Sequence, residues 1–181
     1  GEGGLWEKKG EPDMRGYQEF LENPERWWRQ RLQPSSDPEL AAFGLAMESA
    51  EPNLGHYALA EMEKDGHVQH LITQNVDNLQ QKAGSRKITE IHGNRFKVRC
   101  INCGSRFEKE YVSTKKLPPR CDQCQGILKG DGVMFGEPIP RDALDSCQNQ
   151  ANRADCMLLL GTSALVYPAA GLPLMAQQRG A

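Results

Sequence analysis

Apolar positions recur along this chain in two alternating rhythms. Leu54, Ala58 and Met62 return every four residues behind Asn53, which predicts a helix over about 54–65, capped by Asn53 and stopped by a left-handed Gly66. Upstream, Ser36-Asp37-Pro38-Glu39 has the Ser-x-x-Glu form of a capping box and predicts a helix from about 37 to 50. The run from His67 to Thr73 leans apolar and ends abruptly in polar residues, as a short strand does. A segment from Asp77 to Ala83, bounded by Gly84, precedes a second short strand at Ile88 to Ile91. Helix, strand, helix and strand at this spacing predict an α/β layer built on a parallel sheet.

Residues 93 to 129 break the rhythm with cysteine pairs, charges and the Pro118-Pro119 turn, and read as an inserted module. The alternation resumes with Val133-Met134-Phe135, a helix from about 141 to 153, and the run Cys156 to Leu160, continuous enough for a strand buried on both faces. Gly161-Thr162-Ser163 ends that run. The first 35 residues, rich in Gly, Pro, Trp and charge, predict loop and short helices.

Composition narrows the function classes. Against 24 acidic residues stand 22 basic ones, a formal charge of -2, so the chain lacks the overall positive field that direct nucleic-acid binding needs. No apolar run reaches the length of a membrane span, and the opening residues have no secretory-signal pattern. A soluble, cytoplasmic protein with no membrane partner is expected. Position 1 is glycine, which suggests a start inside a longer reading frame or after processing.

Four of the six cysteines form two knuckle-like pairs, Cys100-x2-Cys103 and Cys121-x2-Cys124, 17 residues apart. That spacing belongs to a zinc ribbon, and four thiolates close a tetrahedral site with no position for water, so one structural Zn2+ is expected. Two disulfides are the alternative. Lys97, Arg99, Arg106 and Arg120 lie near enough in sequence to offset the negative charge of such a site. Cys147 and Cys156 read as small packing residues.

In an open parallel sheet, ligands gather beyond the carboxyl ends of the strands. Two polar tips occupy such places: Gln74-Asn75-Val76-Asp77 after the first strand and Gly161-Thr162-Ser163 after the last, with His92-Gly93 following another strand and Phe135-Gly136-Glu137 preceding Pro140. A glycine beside two hydroxyls can bring backbone amides up to phosphate or ribose. His92, with an ordinary pKa near 6.5, can accept a proton at physiological pH. Alone, each of these has a plain reading as a turn, a capped loop or a core residue. His56, His67 and His70 lack such context and read as surface or core residues.

Taken together, the stretches GGLW (3 to 6), NLGHYALAEME (53 to 63), ITQNVDNL (72 to 79), AGS (83 to 85), IHGN (91 to 94), the cysteine pairs, VMFGEPIP (133 to 140) and LLLGTSALVYPAAGLP (158 to 173) resemble the sirtuins in order and spacing. The resemblance implies an NAD-dependent protein-lysine deacylase, with a Rossmann-like parallel-sheet domain (1–92 and 130–181, with a helical segment at about 20–50) and a zinc-binding module (93–129). It implies that Asn75 and Asp77 hold the nicotinamide ribose and carboxamide beside Gln74 and Val76. It makes His92 the general base that removes a ribose hydroxyl proton after the acyl oxygen has attacked the anomeric carbon, and it gives Gly161, Thr162 and Ser163 to the cofactor. Val133 and Phe135 would line the acyl-lysine tunnel, and Gly136-Glu137 would pair backbone with an acyl-lysine peptide as an added strand. Nicotinamide, O-acyl-ADP-ribose and free lysine would be the products. Mono-ADP-ribosyl transfer and a non-catalytic zinc-stabilised module are the rival readings.

The chain also departs from the family pattern. The GAG-x-S phosphate loop does not precede Gly1, and the C-terminal strands do not follow Ala181, so a sheet short of members at both ends is expected, with uncovered apolar surface and weakened NAD binding unless a longer chain or a partner chain covers it. Gln80 stands where histidine is usual. Gly132 replaces a β-branched residue ahead of Val133, which implies a wider acyl tunnel and tolerance of longer aliphatic chains. The Tyr-x-x-Arg pair of acidic-acyl sirtuins is missing, its counterpart positions being Arg31 and Pro34, which argues against succinyl-lysine.

Overall fold

A computed structural model describes residues 14–181, so the GGLW stretch lies outside the described residues. Those residues form two compact units, one running through Ala46 and resuming over Phe96–Pro138, the other combining Met47–Arg95 with Ile139–Ala181.

The first unit opens with α1 (Gly16–Glu22) and α2 (Pro24–Arg31). Asn23 ends one and starts the other: its side chain accepts from the Arg26 amide at 2.9 Å while Pro24, which has no amide to satisfy, takes the first helical position. β3 (Lys97–Cys100) is the centre of an antiparallel sheet, flanked by β4 (Arg106–Glu108) and β5 (Leu128–Gly130). Trp28 packs with Val98, Cys100, Cys121 and Leu128, and its indole N–H donates to the Leu128 carbonyl at 2.8 Å. The aromatic-basic stretch therefore belongs to the core of the cysteine-bearing unit, which makes that unit larger than the expected 93–129 module.

The second unit holds α4 (Leu54–Lys64), β1 (Leu71–Thr73), α5 (Leu79–Ala83), β2 (Ile88–Glu90), α6 (Arg141–Arg153) and α7 (Leu172–Gln178). β1 and β2 run parallel, Leu71 opposite Ile88 and Thr73 opposite Glu90. α6 presents Ala143, Cys147 and Ala151 to the interior at a spacing of four, and these small residues let it lie close to Ile91, Ala169 and Leu172. A hydrogen bond between the Thr89 and Ser146 hydroxyls, 2.7 Å long, ties β2 to the same helix. α3 (Pro38–Glu48) links the first parts of the chain. Among the described residues no helix is long and apolar enough to cross a membrane.

Three expectations are corrected: the capping of α3, the strand at 156–160 and the packing role of Cys156. Asp37 takes over the capping of α3, its carboxylate accepting from the Glu39 and Leu40 amides at 2.9 and 3.3 Å, because it is the residue directly before the first helical position, Pro38. The periodic face of α4 points outward, Leu54 being 86 % exposed. Its inward side is fixed by Glu63, whose carboxylate accepts from the Arg86 and Lys87 amides, and by Ala60, which meets Gly84. Residues 156–160 form no strand, and Leu158, Leu159 and Leu160 are exposed, since no ladder partner lies beside them among the described residues. Cys156 is exposed with them, whereas Cys147 is buried as expected and its thiol is pushed up to about 12 by burial.

Replacing Trp28 by Phe keeps most of the apolar volume but orphans the Leu128 carbonyl. Denaturant unfolding should register a loss of about 1–3 kcal/mol, and Trp28→Ala about 3–5 kcal/mol.

Candidate functional site

The four cysteines converge as their spacing predicts. All four sulfurs lie within 4.8 Å of one another, with Cys100 to Cys124 at 3.5 Å and Cys103 to Cys121 at 3.7 Å. Sulfurs bound at about 2.3 Å to one tetrahedral ion would stand roughly 3.8 Å apart. A disulfide needs about 2.05 Å, and all six cysteines are free. Each knuckle adds an amide-to-sulfur bond, Asn102 N–H to Cys100 and Gly126 N–H to Cys124, both 3.4 Å. Gly126 is required here, because a Cβ at that position would fall 2.7 Å from Asn102 Cβ and 2.8 Å from Cys100 Sγ.

Proton affinities fit a cation site as well. Hydrogen bonds with Ser105 bring the Cys103 thiol down to about 6. At Cys124 the Gly126 amide works in the same direction, but crowding by the neighbouring thiols pushes it up to about 12. Four sulfurs this close cannot all be anionic without a cation among them, and a divalent metal held by these four residues would supply the missing charge. Arg99 and Arg106 do not serve that purpose. They turn to carboxylates, both reaching Asp131, while Arg120 donates to the Gln125 carbonyl inside the second knuckle.

In the second unit the two polar tips and the histidine meet through one residue. Gln74 follows β1 directly; its side-chain amide donates to the Thr162 hydroxyl at 3.1 Å, and its carbonyl receives His92 Nδ1 at 3.2 Å. A carbonyl only accepts, so Nδ1 carries the hydrogen and Nε2 keeps its lone pair, the tautomer a proton acceptor needs. Burial lowers the His92 pKa below its ordinary value, and the Gln74 carbonyl opposes that shift in part. Neutral imidazole is thus the form at physiological pH.

The loop around these groups is held by its own polar atoms. Asn75 N–H donates to the Thr73 hydroxyl, the Asp77 carboxylate accepts from the Leu79 amide at the start of α5, and the Val76 carbonyl receives the Arg95 amide. At the other tip Gly161 has φ +62°, and the Ala164 amide donates to the Thr162 hydroxyl. Asn75 and residues 161–163 are exposed, which leaves them open to a ligand. Sequence reasoning missed Asn94. Fully buried, it donates to Asn78 at 3.1 Å and to Glu90 at 2.6 Å, and so locks the turn after His92 to the loop before α5. Its position two residues after the histidine was the available signal. Gln80 Oε1 is buried with no hydrogen-bond partner among the described residues, a change that histidine at this position would not present in the same form.

In the first unit, Val133 and Met134 are half-buried while Phe135 and Gly136 are exposed at a turn. The Phe135 carbonyl accepts from the Tyr17 amide at 3.2 Å, and the Glu137 amide closes the turn on Met134. His56 completes a capping box with Asn53, and His70 bonds Thr89, so neither joins these groups.

A family model described as Sir2 family matches residues 1–168. The chain belongs to the Sir2 family. An NAD-dependent protein deacylase 2 of Pyrobaculum aerophilum is 39% identical over 186 residues, covering all of this chain and 69% of the relative. A solved structure of a Sir2 homolog–NAD complex shares 39% identity at a TM-score of 0.71, covering 98% of this Sir2-family chain and 66% of its own. Another, a Sir2 with deacetylated p53 peptide and 3'-O-acetyl ADP ribose, shares 35% identity at a TM-score of 0.73, covering 99% and 70%.

Gly126→Ala should lower zinc retention at least about tenfold, read as faster release to a chromogenic chelator. Stripping the metal should also shift tryptophan emission to the red, because Cys100 and Cys121 pack directly on Trp28.

Proposed function

We propose that this chain removes acyl groups from protein lysines, consuming NAD and one water and yielding nicotinamide, O-acyl-ADP-ribose and free lysine. The observation that carries the reading is the pair of bonds from Gln74, which sets His92 as a neutral base with Nε2 free and ties it to the hydroxyl tip at 161–163. The relatives are named NAD-dependent protein deacylases, and the solved neighbours hold NAD in one case and a deacetylated peptide with acetyl ADP ribose in another.

The residues divide the work by their chemistry. Asn75 and Asp77, with Gln74 and Val76, are assigned to the nicotinamide ribose and carboxamide, and Gly161, Thr162 and Ser163 to the remainder of NAD. Bound NAD supplies the ribosyl centre that receives the acyl group. His92 takes the proton of a ribose hydroxyl at Nε2. Val133 and Phe135 are assigned to the acyl chain, and Gly136-Glu137 to the peptide backbone. Cys100, Cys103, Cys121 and Cys124 hold a structural Zn2+ that takes no part in the chemistry.

Gly132 supports acceptance of longer aliphatic acyl groups, because its missing side chain leaves open space: an added Cβ meets nothing within 4 Å. Gly132→Val should therefore fold normally and cut turnover of a myristoyl-lysine peptide by about tenfold or more while sparing the acetyl peptide. Equal loss on both would count against the assignment.

Incubation of the protein with acetyl-lysine peptide and adenine-labelled NAD tests the activity itself. The label should leave in a small acylated product. Label retained on protein would point to ADP-ribosyl transfer. His92→Ala should cost about 10²–10⁴-fold in turnover. The acid limb of kcat/KM should have its midpoint below 6.5, since a base with a lowered pKa stays unprotonated further into acid.

A further inference from the structure

The segment 130–137, which the proposed function assigns to the acyl peptide, is braced by charges that no hydrophobic core would need. Lys129, at the heart of β5, is 0 % exposed. Its Nζ stands 2.5 Å from the Gly130 carbonyl, 2.8 Å from the Gly132 carbonyl and 3.0 Å from Glu137 Oε2. An ammonium has three hydrogens, and these three acceptors use them all. Glu137, its side chain 2 % exposed, also accepts the Met134 amide at 2.9 Å on Oε2 and Arg99 Nη2 at 2.5 Å on Oε1. Arg99 comes from β3 beside a zinc-ligand cysteine, and Asp131 receives Arg99 and Arg106 at 3.3 and 3.0 Å.

The bonds fall at the entry of the loop (Gly130, Asp131, Gly132), at its middle (Met134) and at its exit (Glu137). Only the tip, Phe135 and Gly136, is left exposed, and there Gly136 has φ +79° with the Met14 carbonyl where a Cβ would stand. Burying an ion costs several kcal/mol, and apolar side chains of similar volume usually stabilise a fold as well or better. What ionic contacts add is direction, because each one fixes a particular carbonyl or amide in orientation. A strand-adding peptide reads the direction of main-chain groups, so a loop that receives one gains from being set beforehand.

We propose that Lys129 and Glu137 are positioning residues for the acyl-lysine peptide, holding the loop so that its tip offers main-chain groups already aimed at the incoming strand. This inference rests on the assignment of the loop to the peptide but not on turnover. Lys129→Met and Glu137→Gln keep volume and remove one charge each. Lys129→Met/Glu137→Leu removes both, which avoids leaving a buried charge unpaired and guards against failure to fold. Zinc content and thermal unfolding establish that each variant is folded.

Affinity for a fluorescent acetyl-lysine peptide, measured by anisotropy without NAD, should fall about tenfold in the singles and in the double variant. In turnover, peptide KM should rise by a similar factor while kcat and the KM for NAD stay within about twofold, the pattern of lost uniform binding. A folded variant with wild-type peptide affinity would overturn the proposal, as would a parallel fall in kcat and NAD affinity, which marks general loosening. Failure of the wild-type chain to bind the peptide also overturns it. Binding without turnover by the wild type would refute the deacylase activity and leave the positioning role standing.

Discussion

The convergence of four sulfurs on one point is the constraint from which the first unit takes its form. Two x2 knuckles bring the ends of β3 and the 121–124 turn together, and that junction sets the register in which β5 lies along β3. Trp28 then closes the sheet from outside the cysteine segment by bonding the Leu128 carbonyl. Because Arg99 is the residue before Cys100 and Lys129 the residue after that carbonyl, the sulfur junction also places the two cations that seize the 131–137 loop. Local cysteine geometry thereby reaches the segment assigned to the peptide through only two strands.

The second unit relies on a different economy. Its parallel pair is three residues long on each side, too short for the ladder alone to define a site. Polar residues at the strand ends supply the remaining definition: Gln74 joins the histidine and the hydroxyl tip, and Asn94 joins the two turns beneath them. Such a site depends on directed bonds more than on bulk, and Asn94 carries as much of it as any residue named from pattern.

Much of this was legible in the sequence because the signals were local. Residues 141–153 read as a helix and are one to the residue; Asn53 caps its helix; the cysteine spacing anticipates the sulfur cluster. Legibility failed where the outcome depends on contacts distant in the chain. The run 156–160 has the composition of a buried strand, but composition cannot supply a ladder partner, and the leucines stand in solvent. Three apolar residues at a spacing of four predict the helix α4 but do not say which side meets Gly84 and Glu63's amide partners. Sequence proximity alone set Arg99 and Arg106 beside the cysteine cluster, whereas in space both turn to Asp131. Trp28 is separated from Leu128 by 100 positions, and nothing in the pattern links them.

The tautomer of His92 is written by a main-chain carbonyl, and every amino acid brings one. Drift at position 74 can therefore alter what the side chain touches without erasing the proton arrangement on the imidazole. One residue thus holds two separable parts of the arrangement, a side-chain amide that reaches Thr162 and a peptide carbonyl that orients the imidazole.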